Sequence, residues 1–144
     1  PHSDAKKAGG FLQAPFGAIG VETAFPVLHS RLVRDGRLPL ARLVAALTSG
    51  PCDVVGREAP RLAVGAPARI NLLDLETPRT VDRQTLASRS HNCPFHAWEL
   101  TGWPVASWLA GALRAHLDAP AVRYRTMRAE PPPPDSPPTG RQGT

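Results

Sequence analysis

The sequence has 144 residues, which suits about one ordinary domain and is too short for a whole (β/α)₈ barrel of roughly 200 residues or more. The net charge of +5 comes from 15 Arg and 2 Lys that are scattered along the chain, so we expect no nucleic-acid interface. The uncharged apolar runs are far shorter than a membrane span, and no basic-then-apolar leader opens the sequence.

The first residue is Pro1 and the first methionine is Met127, so we expect the chain to be part of a longer protein. The two cysteines, Cys52 and Cys93, lie far apart and form no CxxC pattern, which favours a reducing compartment and a cytoplasmic location. The sequence contains no HExxH pair, no Gly-rich phosphate loop and no GxSxG nucleophile elbow. Candidate functional residues are therefore expected in the loops.

Glycine and proline punctuate the first 20 residues, which predict a long loop of the kind that usually serves a site. From Val21 to Leu32, apolar residues recur at helical spacing and predict a helix that Pro26 bends. Gly36 suits the left-handed position that ends such a helix, and Pro39 suits the first turn of the next one. We expect this second helix to be followed by a short turn.

The periodicity changes after Gly65, where strands replace helices. The predicted strands are residues 69–75, 80–81, 99–100, 103–109 and 112–115. Residues 83–98 predict a loop, and Ala110-Gly111 predicts the turn of a hairpin. Helices followed by strands are typical of a chain that ends one architecture and contributes to a second.

Several short segments, taken in order, resemble the dihydroorotases of the zinc amidohydrolase superfamily. They are Pro1-His2-Ser3, Lys6-Lys7, Ala14-Pro15-Phe16-Gly17, Gly20-Val21-Glu22-Thr23-Ala24-Phe25-Pro26, Leu62-Ala63-Val64-Gly65-Ala66, Ser88-Arg89-Ser90-His91-Asn92-Cys93-Pro94-Phe95 and Leu100-Thr101-Gly102. The resemblance covers about residues 1–115. Each segment is weak evidence by itself, whereas their shared order is strong evidence.

The resemblance implies an α/β fold. The chain would be a C-terminal fragment of a (β/α)₈ amidohydrolase barrel, with its last loop and closing helices, plus strands of the small β-domain. Residues 1–56 would be the end of the barrel, and residues 57–117 the C-terminal part of the small β-domain. The proline-rich, polar composition of residues 118–144, beyond the resemblance, predicts a disordered tail.

The resemblance also implies an activity, the hydrolysis of dihydroorotate to N-carbamoyl-L-aspartate in pyrimidine biosynthesis. The cofactor would be zinc, with ligands expected upstream of this chain, so we expect the isolated chain to be inactive. By their positions, His2, Phe16 and Gly17 would bind the substrate, and no catalytic residue or metal ligand is expected here. His2 would donate a hydrogen bond to the substrate carboxylate.

Three alternatives stay open. The chain could belong to another cyclic amidohydrolase, such as an allantoinase or a hydantoinase. It could be a non-catalytic dihydroorotase-like subunit that supports aspartate transcarbamoylase, or a truncated product without function. The expected partners are a small-molecule substrate and either aspartate transcarbamoylase or a second copy of the chain.

His91, Cys93 and His96 combine three potential metal ligands within a short stretch. We favour loop residues over a zinc site here, because no fourth ligand is near in sequence.

Overall fold

The computed structural model describes residues 2–10, 12–118 and 123–126. The helices come first and are α1 (Asp4–Lys7), α2 (Ala24–Leu28), a π-helical turn (His29–Val33), α3 (Leu40–Leu47) and α4 (Ser49–Val54). The strands follow and are β1 (Arg69–Asp74), β2 (Arg79–Thr80), β3 (Glu99–Leu100), β4 (Trp103–Leu109), β5 (Ala112–Asp118) and β6 (Arg123–Thr126). None of the helices in these ranges has the length and apolar character needed to cross a membrane.

The first long helical segment begins later than its apolar spacing predicts. Val21 precedes α2 and is 94% exposed, so the prediction that it starts the apolar stripe is wrong. Pro26 lies in the first turn of α2, where its missing N–H costs no helical hydrogen bond. The helix then widens into the π-helical turn, in which the Arg34 N–H donates to the His29 carbonyl at 3.0 Å.

The main sheet is antiparallel, with the strand order β1-β4-β5-β6. The hairpin predicted at Ala110-Gly111 is confirmed, and its second strand runs on to Asp118 rather than stopping at Ala115. A register shift between Leu72 and Leu73 interrupts the β1–β4 ladder. A separate two-stranded sheet joins β2 to β3.

The expected disordered tail, residues 118–144, differs from the structure in its first part. β6 pairs with β5, with Leu117 opposite Tyr124 and His116 opposite Arg125. The pairing depends on the backbone edge that β5 offers, a feature that the Pro-rich composition further along does not indicate. Residues 119–122 and 127–144 of that tail lie outside the described residues.

The hydrophobic core lies where the loop of residues 83–98 meets the two sheets. Its buried members are Val81, Leu86, Cys93, Leu100 and Trp103. Two of them, Leu86 and Cys93, come from the loop itself, so this loop is a structural element and not a loose connection. Ile19 and Val27 pack against the same cluster and join the N-terminal half of the chain to it.

A buried polar contact joins the π-helical turn to the segment between β3 and β4. His29 Nδ1 lies 3.1 Å from Thr101 Oγ1, and the Thr101 N–H donates to Ser30 Oγ at 2.9 Å. Gly102 follows with φ +87°, and its Cα lies so close to His29 that a Cβ would come within 2.8 Å of the imidazole. This close approach is the physical reason for glycine in Leu100-Thr101-Gly102.

The turn after β1 is built around the Asp74 carboxylate. Its Oδ1 accepts the N–H groups of Thr77 at 3.0 Å and Glu76 at 3.1 Å, and its Oδ2 lies 3.4 Å from Arg79 Nη2. These hydrogen bonds, from Thr77 above all, lower the pKa of Asp74 to about 2. Folding therefore favours the charged carboxylate.

The depressed pKa makes part of the chain's stability depend on pH. The folded chain binds the Asp74 proton less readily than the unfolded chain, so this contribution is complete above about pH 4 and is lost as the pH falls toward 2. Asp74→Asn keeps an oxygen acceptor and removes the titration. We expect the original chain to lose about 1–2 kcal/mol more than this variant between pH 5 and pH 2. Urea unfolding at the two pH values measures the difference, and equal losses would contradict this account.

Candidate functional site

The loop of residues 2–20 is organised by short backbone turns. The N–H groups of Lys6 and Lys7 donate to the Ser3 carbonyl, which starts the single turn of α1. The N–H groups of Gln13 and Ala14 donate to the Gly10 carbonyl at 3.2 and 2.9 Å and turn the chain back. The Pro15-Phe16-Gly17 segment is thereby brought close to the residues around α1.

The three residues predicted to bind a substrate lie together. A cavity of about 220 Å³ is lined by His2, Phe16, Gly17, Ala18, Ile19 and Ser90. Phe16 is 97% exposed and His2 is also exposed, so neither residue is held in this position by burial. Gly17 has φ +104°, a conformation that favours glycine. The cavity contains no carboxylate among its lining residues, and thus suits a neutral or anionic ligand.

A second cavity, of about 310 Å³, is lined in part by two residues that donate hydrogen bonds to the Gly17 carbonyl. Its lining residues are Lys7, Ala8, Arg83, Gln84, His91 and Asn92. Lys7 Nζ donates to the Gly17 carbonyl at 2.6 Å and also to the Pro15 carbonyl. Asn92 Nδ2 donates to the same Gly17 carbonyl at 2.8 Å. The Pro15-Phe16-Gly17 segment therefore contributes lining residues to the first cavity and accepts hydrogen bonds from residues that line the second.

The serine-rich segment before Asn92 is shaped by its own side chains. Ser88 Oγ accepts the Ser90 N–H at 3.3 Å, and Ser90 Oγ accepts the Asn92 N–H at 3.4 Å. Such hydroxyl turns explain the spacing of two residues between the polar side chains. Glu22 anchors the same segment, because its carboxylate accepts the N–H groups of Ala87 at 2.8 Å and Ser88 at 3.2 Å.

The described residues offer no metal site. No three His, Cys, Asp or Glu side chains in the described part of the chain are grouped so that they could hold an ion. Cys93 belongs to the hydrophobic core, and His96 Nδ1 accepts the Arg83 N–H at 3.3 Å. The described residues therefore do not fit a metal on their own.

The sequence predicts three of the six residues that line the first cavity, His2, Phe16 and Gly17, and does not indicate the residues that hold them. Lys7 and Asn92 lie within segments that carry the family resemblance, but their contacts depend on two loops that meet only in the folded chain. The helical spacing around Glu22 predicts nothing beyond a helix, whereas its carboxylate joins two distant segments. The only signal for these roles was the position of each residue within a matching segment.

Comparison with known proteins relates the chain to cyclic amide hydrolases. It is 48% identical over 113 residues to dihydroorotases of Bacillus caldolyticus and of Geobacillus kaustophilus. The alignments cover 78% of this chain and 26% of each relative, so the chain spans about a quarter of the length of the curated relatives it matches. No family model matches the sequence.

Solved structures with a similar fold include hydantoinases. The L-hydantoinase (dihydropyrimidinase) of Arthrobacter aurescens superimposes with a TM-score of 0.69 at 29% identity, over 81% of this chain and 25% of the hydantoinase. The D-hydantoinase of Bacillus sp. AR9 gives a TM-score of 0.69 at 25% identity, over 78% of this chain and 26% of that one. The similarity of fold therefore extends over the helices and the sheet together.

Proposed function

We infer that this chain, a member of the metal-dependent amidohydrolase superfamily and a homologue of the dihydroorotases, supplies the substrate loop of an enzyme that hydrolyses a cyclic amide. The proposed reaction is the conversion of dihydroorotate to N-carbamoyl-L-aspartate. The observation that carries this proposal is the cavity that His2, Phe16 and Gly17 line together, without a carboxylate among its lining residues. Dihydroorotate carries a carboxylate, and a site free of acidic groups does not repel it.

The proposed roles follow from the chemistry of each group. His2 donates a hydrogen bond from its imidazole to the substrate carboxylate, more strongly when it is protonated. Phe16 and Gly17 contribute backbone groups, and the absence of a Cβ at Gly17 allows a ligand to approach closely. In the reaction, the oxygen of water bonds to the ring carbonyl carbon, the C–N bond breaks, and the nitrogen takes up a proton. This chain's residues bind and orient the substrate for that step.

The remaining parts of such a site would come from outside this chain. The cavity of about 220 Å³ is smaller than the roughly 300–1,000 Å³ of typical ligand pockets, so these residues enclose only part of a site. We propose zinc as the metal, with ligands upstream of this chain; when bound, zinc lowers the pKa of a water molecule and activates it. Several large apolar side chains are more than 80% exposed, as expected of surfaces that other parts of an enzyme cover; they are Leu12, Phe16, Val21, Val54, Leu62 and Val64.

The proposed organisation keeps the division made from the sequence. We propose that residues 1–56 belong to the end of the barrel and residues 57–117 to the C-terminal part of the small β-domain. Beyond residue 117, β6 pairs with β5 and extends the sheet. We place the protein in the cytoplasm, where the two free cysteines, Cys52 and Cys93, are compatible with reducing conditions. We expect aspartate transcarbamoylase or a second copy of the protein as a partner.

Hydrolysis of a hydantoin is the second candidate activity. The structural similarity to hydantoinases favours it, because the L-hydantoinase of Arthrobacter aurescens has the same fold over 81% of this chain. The higher identity to dihydroorotases, 48% against 29%, favours dihydroorotate. The two substrates differ in the carboxylate that His2 would contact, and the choice between them can therefore be measured.

A chimeric enzyme tests the proposed function. The matching quarter of the Bacillus caldolyticus dihydroorotase is replaced by residues 1–126 of this chain, and hydrolysis of dihydroorotate and of hydantoin is measured with zinc present. We expect the chimera to hydrolyse dihydroorotate. His2→Ala is expected to lower kcat/KM by about 10- to 100-fold, because a hydrogen bond to a charged group is worth about 1.5–3 kcal/mol.

The control in this experiment is the unaltered Bacillus caldolyticus enzyme, and the chimera's thermal unfolding shows whether it is folded. A chimera that unfolds cooperatively and prefers hydantoin would support the second candidate instead. A folded chimera that hydrolyses neither substrate would contradict both activities and favour the non-catalytic subunit. The purified 144-residue chain, assayed alone with zinc, is expected to show no ring opening.

A further inference from the structure

Lys7 makes an unusual set of contacts for a lysine at the edge of a loop. Its Nζ donates to two carbonyls of the Pro15-Phe16-Gly17 segment, those of Pro15 and Gly17, the latter at 2.6 Å. The residue is only half-buried, and it lies at the end of α1, eight residues before Pro15. One ammonium group therefore fixes two peptide units that are separated by a single residue.

Asn92 holds one of these peptide units from a distant part of the chain. Its Nδ2 donates to the Gly17 carbonyl at 2.8 Å, and its own backbone carbonyl accepts the Ile19 N–H at 3.0 Å. The Gly17 carbonyl thus accepts from two side chains that belong to separate segments. Because a carbonyl oxygen has two lone pairs, these two donors complete its hydrogen bonding.

The geometry of the peptide bond transmits this restraint to the other side of the segment. In a trans peptide unit, the N–H points away from the C=O. When Lys7 holds the Pro15 and Gly17 carbonyls, the N–H groups of Phe16 and Ala18 must therefore point away from Lys7. Neither N–H donates to an acceptor within the described residues.

The lining of the two cavities agrees with the inferred direction of the Phe16 and Ala18 N–H groups, away from Lys7. Phe16 and Ala18 line the cavity that contains His2, whereas Lys7 and Asn92 line the other cavity. Within the described residues the two N–H groups are thus unused donors next to His2, while the ammonium and amide groups that orient them line the second cavity. The segment bends at Phe16 and has a positive φ at Gly17, and two such donors on one side of a bent segment suit an anionic group such as a carboxylate.

We propose that Lys7, assisted by Asn92, is a positioning residue that directs the Phe16 and Ala18 N–H groups into the cavity next to His2. In this role Lys7 does not touch the substrate; it sets the direction of the donors that do. The inference rests on the proposed function for the identity of the ligand, a carboxylate-bearing cyclic amide. The restraint on the loop itself is independent of that function and can be measured separately.

The first test measures the loop in the 144-residue chain by ¹⁵N NMR. Lys7→Met removes both hydrogen bonds and keeps an unbranched side chain of similar length. We expect the Phe16, Gly17 and Ala18 amide resonances to move toward the values of an unstructured segment, while the Trp103 indole resonance stays in place. Lys7→Arg is expected to restore much of the original pattern, because a guanidinium can also donate to two carbonyls.

Lys6→Met is the matched control, because it removes the same charge from a neighbouring exposed residue whose side chain, unlike that of Lys7, makes no hydrogen bond to the Pro15-Phe16-Gly17 segment within the described residues. It is expected to leave the three amide resonances unchanged. If Lys7→Met also leaves them unchanged while the Trp103 indole resonance shows an intact fold, the positioning role is overturned. If Lys6→Met moves them as far as Lys7→Met, a general charge effect explains the result and the proposal fails.

The second test uses the active chimera and separates binding from chemistry. Lys7→Met is expected to raise KM for dihydroorotate by about tenfold or more and to change kcat by less than about threefold, because it disorders donors that bind substrate. Lys7→Arg should recover most of the loss, and Lys6→Met should match the unaltered chimera. An active chimera whose KM is unaffected by Lys7→Met would overturn the role in binding. A folded chimera that is inactive with Lys7 in place contradicts the proposed function. In that case the NMR experiment alone tests whether Lys7 restrains the Pro15-Phe16-Gly17 segment.

Discussion

Replacing Trp103 with alanine is expected to lower the free energy of unfolding by about 3–5 kcal/mol, the usual cost of removing a large aromatic side chain from a core. Trp103 is fully buried and packs against the core members Val81, Leu86 and Leu100. Its Nε1 also donates to the Leu100 carbonyl at 2.7 Å, so the substitution leaves a buried acceptor without its partner. Urea unfolding followed by circular dichroism measures the change. A loss of this size would consume much of the 5–15 kcal/mol stability typical of a domain.

Trp98→Ala provides the matched control, since it removes the same side chain from a surface position. Trp98 is 37% exposed, its ring meets that of Phe95 edge to face, and Arg31 lies over it at 4.7 Å. Contacts of this kind at an exposed site contribute about 1 kcal/mol. A cost for Trp98→Ala equal to that for Trp103→Ala would mean that the core is not centred on Trp103.

The second large effect is expected from Gly102→Ala, which should cost about 2–4 kcal/mol of stability. Two penalties combine at this position. Gly102 has φ +87°, which an alanine adopts only with strain. A Cβ there would also lie 2.8 Å from three atoms of His29, so either the imidazole or the segment after β3 would have to move. That movement would disturb the contact between His29 and Thr101.

Gly111→Ala separates the two penalties. Gly111 has a similar φ of +79°, but an added Cβ would meet nothing within 4 Å. We therefore expect this variant to lose about 1 kcal/mol of stability, from backbone strain alone. Urea unfolding of both variants gives the comparison. An equal loss of stability in the two variants would show that the His29 side chain moves aside without a free-energy cost. The close approach of Gly102 to His29 would then not contribute to the packing of the π-helical turn against this segment.

The sequence predicted the class of fold through a family resemblance more than through periodicity. The similarity to dihydroorotases over 78% of the chain confirms that resemblance, and the hydantoinase structures confirm the amidohydrolase fold. Periodicity predicted the hairpin of β4 and β5 correctly, because alternation and a glycine turn are local signals. It placed the start of the first helix wrongly at Val21, because an apolar residue that fits a stripe can still lie outside the helix.

Neither the strand β6 nor the packing of the loop of residues 83–98 could be predicted from local sequence patterns, and the reason is the same for both. β6 forms because the edge of β5 is available for pairing. It has only four residues, and a Pro-rich segment follows them. The loop has no periodicity, yet Leu86 and Cys93 enter the core, and Glu22 holds its backbone from 65 residues away. Contacts between distant segments determine both features, and a single sequence does not display such contacts.

The sequence by itself determined the family resemblance, the three residues expected to bind a substrate and the chemical type of each, because these depend on residue identity and order. His2, Phe16 and Gly17 were chosen in this way, and their binding role stays a prediction. Only the tertiary structure decided that they line one cavity, and that Lys7 and Asn92 hold the Gly17 carbonyl by hydrogen bonds. The physical reason is that a carbonyl can accept from any donor the fold brings within reach. The direction of a backbone N–H therefore depends on partners that are distant in sequence.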